Sequence, residues 1–66
     1  MASETPVQMA QRHCDEQEGR IVQQNFLIAR LKAASLMTEE AEEFLLRLKE
    51  LLAVFQKDRD RLLARN

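Results

Sequence analysis

Thr38-Glu39-Glu40-Ala41-Glu42-Glu43-Phe44-Leu45-Leu46-Arg47-Leu48-Lys49-Glu50-Leu51-Leu52-Ala53-Val54-Phe55 is the stretch that decides the fold. At about 3.6 residues per turn, Ala41, Phe44, Leu45, Leu48, Leu51, Leu52, Phe55, Leu62 and Leu63 gather within about 120° of arc. Glu42, Glu43, Lys49, Glu50, Lys57 and Arg61 lie largely opposite, so the segment reads as an amphipathic helix. Thr38 is a suitable N-cap, and Glu39 and Glu40 place negative charge at the positive end of the helix dipole. Glu43 and Arg47 stand at (i, i+4) in the favourable order. Arg59 alone interrupts the apolar stripe near the C-terminal end.

Upstream, Thr5-Pro6-Val7-Gln8 carries a second start signal. A hydroxyl at the cap, proline at the first helical position and glutamine three residues after the cap make a capping box. Val7, Cys14, Ile21 and Ile28 then recur every seven residues, as do Ala10, Gln17, Gln24 and Leu31. Interleaved, they form an a/d seam. Gln17 and Gln24 stand where apolar residues are expected, either hydrogen-bonded across an interface and fixing its register, or facing water. Gly19 lies on the opposite side, where it marks a kink, a close helix approach or a break into a third helix. Beyond it the apolar arc widens through Val22, Phe26, Leu27, Ala29 and Ala33, more than one partner helix covers.

Between the two patterns lies Ala34-Ser35-Leu36-Met37. So short a connection predicts adjacent antiparallel helices, about 6–35 and 38–64, in one all-α domain over 1–66 with residues 1–5 flexible. With no glycine in the turn, one continuous helix stays open as the other reading.

The composition sets limits. A chain of 66 residues with one cysteine has no internal disulfide, and below about 70–80 residues a lone core is marginal. Packing against a second copy answers this, so two hairpins are expected to pair as a homodimeric four-helix bundle, each helix about 40–45 Å long. Val7, Cys14, Ile21, Ile28, Leu31, Phe44, Leu45, Leu48, Leu51, Leu52, Phe55 and Leu62 are its expected core and dimer interface. Val22, Phe26, Leu27 and Ala33 form the surface on which a helix of another protein could dock. The thiol and the absence of a secretion signal point to a reducing, cytoplasmic setting. No apolar stretch approaches the roughly 18 residues of a membrane span.

Charge is balanced in both halves, four basic against four acidic groups in 1–35 and six against seven in 36–66. Neither half makes the positive field that phosphate-backbone binding needs, and with no Trp or Tyr there is little to stack bases on. Arg59, Arg61 and Arg65 are the one basic-leaning group. Doubled by symmetry they would serve the alternative function, a small dimeric nucleic-acid-binding regulator with the architecture of Rop-type plasmid copy-number proteins.

Chemistry-bearing residues are sparse. Neighbouring His13 and Cys14 point about 100° apart on a helix, and no second His or Cys completes a zinc set. Cys14, at a seam position, reads as a small buried hydrophobe and His13 as a surface residue. The Glu39–Glu43 cluster lacks the Glu-x-x-His pairs of di-metal bundles. With one Gly and one His, neither a phosphate loop nor a Ser/His/Asp arrangement can be built. No catalytic activity and no cofactor are expected.

Gly19-Arg20-Ile21, Leu27-Ile28-Ala29-Arg30-Leu31, Thr38-x-Glu40-Ala41-Glu42-x-x-Leu45, and Leu51 onward to Arg59-Asp60-Arg61-Leu62-Leu63 carry one further signal. Through them, Arg12-His13 to Leu63 resembles a family of short uncharacterised helical-hairpin proteins of alphaproteobacteria, the rhizobia and their relatives. It covers most of the chain and implies the hairpin fold. No activity comes with it. Ala34-Ser35-Leu36-Met37 departs from the family, whose turn often carries glycine.

Overall fold

The computed structural model describes residues 3–65. Two α-helices, α1 (Pro6–Ala33) and α2 (Glu39–Ala64), pack side by side as an antiparallel hairpin about 49 × 25 × 11 Å. Among the described residues there is no strand.

The start of α1 follows from its first residues. Gln8 N–H donates to Thr5 Oγ1 at 3.1 Å, and Thr5 N–H donates to Gln8 Oε1 at 2.9 Å, so two otherwise unpaired backbone donors are satisfied reciprocally. Just upstream, the Glu4 carboxylate accepts from Arg12 Nε and Nη2 at 3.1 and 3.0 Å. Glu4 and Thr5, expected to be flexible with the rest of 1–5, are therefore tied to the first helical turns; residues 1 and 2 lie outside the described residues. The helix then runs unbroken through Gly19 for 28 residues, which removes the three-helix reading.

Helix α1 ends in a Schellman motif. Ser35 N–H donates to Lys32 O and Leu36 N–H to Leu31 O, at 3.0 and 2.9 Å. The motif needs a left-handed residue one position past the cap, and Ser35 takes that role at φ 58° where glycine is usual. The chain turns here, so the single-helix reading is excluded as well.

At the start of α2 the expectation was only half met. Thr38 is the N-cap, yet its backbone is helical (φ −117°, ψ −1°) and its hydroxyl makes no capping bond. An N-cap side chain reaches the N2 or N3 amide from extended backbone, and here the carbonyl alone serves, accepting from Glu42 N–H at 2.8 Å. Glu39, Glu40 and Glu42 supply the negative charge of the first turn.

The hairpin seam repeats in heptads on both sides. Helix α1 offers Val7, Ala10, Cys14, Gln17, Ile21, Gln24, Ile28 and Leu31, the anticipated a/d set. Helix α2 meets it with Ala41, Leu45, Leu48, Leu52, Phe55, Arg59 and Leu62, all at least half-covered. Only Ala10, Cys14, Gln17 and Ile28 are buried among the described residues, Cys14 and Gln17 completely. All four belong to α1.

Candidate interaction surface

Two seam positions hold glutamine, and the structure settles their role. Gln17 Nε2 donates to Leu48 O at 2.9 Å while its Oε1 accepts from Arg20 Nη1 at 2.9 Å; the side chain is fully buried. One heptad on, Gln24 Nε2 donates to Ala41 O at 2.8 Å. A heptad forward on α1 corresponds to a heptad back on α2, so the two amides are pins holding one antiparallel register. Among the described residues every buried side-chain nitrogen and oxygen has a partner.

Arg59, at a seam position of α2, is spanned the other way. Its Nε donates to Asp60 Oδ1 at 3.1 Å and its Nη1 to Gln11 Oε1 on α1 at 3.4 Å. The Asp60 carboxylate holds this guanidinium more firmly protonated than usual. Arg61 and Arg65, four residues apart, are exposed on a face of the helix end away from Arg59, so the three arginines do not line one surface. His13, expected at the surface, is half-covered, its ring 5.4 Å from that of Phe55. Cys14 is wholly buried, and among the described residues no three His, Cys, Asp or Glu side chains converge on a point. The anticipated Glu43–Arg47 pair is absent from the ion pairs formed, which join Arg12 to Glu4 and Glu16, Lys32 to Glu42, and Arg59 to Asp60.

What remains is apolar surface. Leu27, Phe44 and Leu51 form one flank of the hairpin, each more than two-fifths exposed. Phe44 and Leu51 belong to the set expected to form the core and dimer interface of the four-helix bundle. Their stripe on α2 is wider than one facing helix can cover, and they fall on its uncovered edge.

A second surface lies on the back of α1, away from α2. Gly19, Val22, Phe26, Ala29 and Ala33 recur at alternating three- and four-residue steps, a second heptad seam parallel to the first. Phe26 is 67% exposed and Val22 53%, and with Asn25 and Ala29 they line a shallow groove. Of the four residues expected to form a partner surface, Val22, Phe26 and Ala33 lie on this stripe, whereas Leu27 lies round on the flank with Phe44. The sequence reading missed the continuation of the stripe to Gly19, although the heptad spacing from Phe26 carries it.

No protein-family model matches the chain, and neither a curated protein nor a solved structure is detectably similar to it. Among the described residues no helix is long and apolar enough to cross a membrane.

Proposed function

We propose that this chain is a non-catalytic helical association module whose first partner is a second copy of itself, giving a homodimer of four helices. The observation that carries the reading is exposed area. A compact protein of 7.7 kDa presents about 4,300 Å² of accessible surface. The hairpin presents 5367 Å². The excess of roughly 1,000 Å² is close to the ~800 Å² that each partner buries in a standard stable interface. Large apolar side chains stand on the exposed surface, Phe26 and Val22 the most open of those on α1. A four-helix assembly covers such surface with helices of the same kind. The single buried thiol suits a reducing, cytoplasmic setting.

Light scattering behind size exclusion, over a range of concentrations, tests this directly. A particle of twice 7.7 kDa is expected. A folded monomer at every concentration overturns the reading. Nucleic-acid binding has less support, because the Arg59 guanidinium is already engaged by Asp60 and Gln11. No retardation of RNA or DNA is expected in a gel shift at low salt, where phosphate contacts are strongest.

A further inference from the structure

Gly19 has no explanation inside the hairpin. A β-carbon built on it meets nothing within 4 Å, and its backbone is ordinary helix. Glycine in mid-helix costs about 1 kcal/mol relative to alanine, so an isolated hairpin would be more stable without it. Glycine on a helix surface admits close approach of another backbone, and Gly19 heads the exposed stripe that runs through Val22, Phe26, Ala29 and Ala33.

The charges beside this stripe are not symmetric along it. On one edge lie Glu18, Asn25 and Lys32, and on the other Glu16, Gln23 and Arg30. Each acid precedes its base by 14 residues, two heptads, with an amide midway. Reversing the direction of one helix about a two-fold axis at that midpoint places Glu18 opposite Lys32 of a second copy, and Glu16 opposite its Arg30. Both edges thus require a centre within a residue of Gln24. The stripe agrees independently. Centred on residue 24, Val22 faces Phe26 of the other copy, and Gly19 faces its Ala29, small against small. A parallel pairing in register would set each of these charges against its like.

From this coincidence of two charged edges and one size pattern, we infer that the partner in the association proposed above is a second copy seated on the back of α1, antiparallel, with the two-fold axis at residue 24. The inference rests on the self-association reading and names its surface. The two α1 helices form the middle of the four-helix assembly and each α2 lies outside. Among the described residues Glu18 and Arg30 make no ion pair, while Glu16 and Lys32 already have exposed partners in Arg12 and Glu42 that the second copy's charges would join.

Charge reversal within the full chain tests the geometry, read as the dimer dissociation constant from sedimentation or light scattering. Glu18→Lys or Lys32→Glu alone sets like charges together twice per dimer and is expected to weaken association roughly tenfold, about 1.4 kcal/mol. The combination E18K/K32E should recover most of that loss. Gly19→Leu should abolish the dimer, although at a free helix surface the same change would raise stability. If E18K, K32E and Phe26→Glu all leave the dissociation constant unchanged, the second copy sits elsewhere, and self-association survives without this surface. If the unsubstituted chain is monomeric at all concentrations, the association reading itself has failed.

Discussion

Ser35 carries the one left-handed backbone among the described residues outside glycine, at φ 58°. For a residue with a β-carbon this conformation costs about 1–2 kcal/mol, and glycine avoids it. Ser35→Gly should therefore stabilise the hairpin by about 1 kcal/mol, raising the thermal midpoint by about 4–8 °C. Ser35→Val should lower it. Circular dichroism melts decide between these, and no gain from glycine would mean the Schellman turn is not strained. At the other end of α1, the hydrogen bonds from Arg12 hold the Glu4 carboxyl below its ordinary value of 4.5. A carboxylate with a depressed folded-state pKa adds stability that is present above its unfolded value and lost as pH falls through the folded one. Glu4→Gln should therefore be slightly less stable than the parent near neutrality and indistinguishable from it in acid. The effect is small, because the pair is exposed. Parallel melts at neutral pH and below pH 4 would show the two curves converge.

For each helix, periodicity made the element legible and left its edges to backbone geometry. The seam of α1 could be read residue by residue, because seven-residue spacing of Val7, Cys14, Ile21 and Ile28 admits few alternatives. The seam of α2 could not, since its apolar arc is wider than the line of contact. Which of Leu45, Phe44 or Leu51 meets α1 depends on how the helix is rotated, and the turn sets that rotation. Arg59 is the clearest case, an interruption in the stripe that is nonetheless a seam residue bridged to α1. The glutamines were ambiguous for a related reason: an amide at a seam position is equally consistent with a pin and with a wet gap. Their buried bonds to Leu48 O and Ala41 O make a definite prediction. A polar seam residue specifies register at some cost in stability. The double substitution Q17L/Q24L should thus raise the denaturation midpoint while broadening the distribution of assembled masses. A sharper midpoint with one unchanged species would show that the amides do not set the register.

At the scale of the whole molecule, two helices in contact along one line form a slab only 11 Å in its thinnest direction. Half-covered side chains then take the place of a core, and stability is tied to whatever covers them. If a second copy packs on the back of α1, the thermal midpoint should rise with protein concentration, since binding to the folded state alone stabilises it by mass action. A midpoint constant over a hundredfold range of concentration would argue for a self-sufficient hairpin. Composition could suggest such association but not where it occurs. The back stripe was legible in part, since Val22, Phe26 and Ala33 stand apart from the seam by their spacing; placing α2 removes Leu27 to the flank and shows the stripe to be without a neighbour in the hairpin.

The wholly buried Cys14 gives the seam its own clock. Its sulfur sits beneath α2 about a third of the way along the longer helix, more than two turns from its end, so an alkylating reagent reaches it only when the two helices part. The rate of labelling thus counts openings of the hairpin, with no dye or tag needed. Opening that requires the whole seam to separate should slow labelling in step with global stability across the variants above. Opening confined to fraying of the helix ends would leave the thiol unreacted.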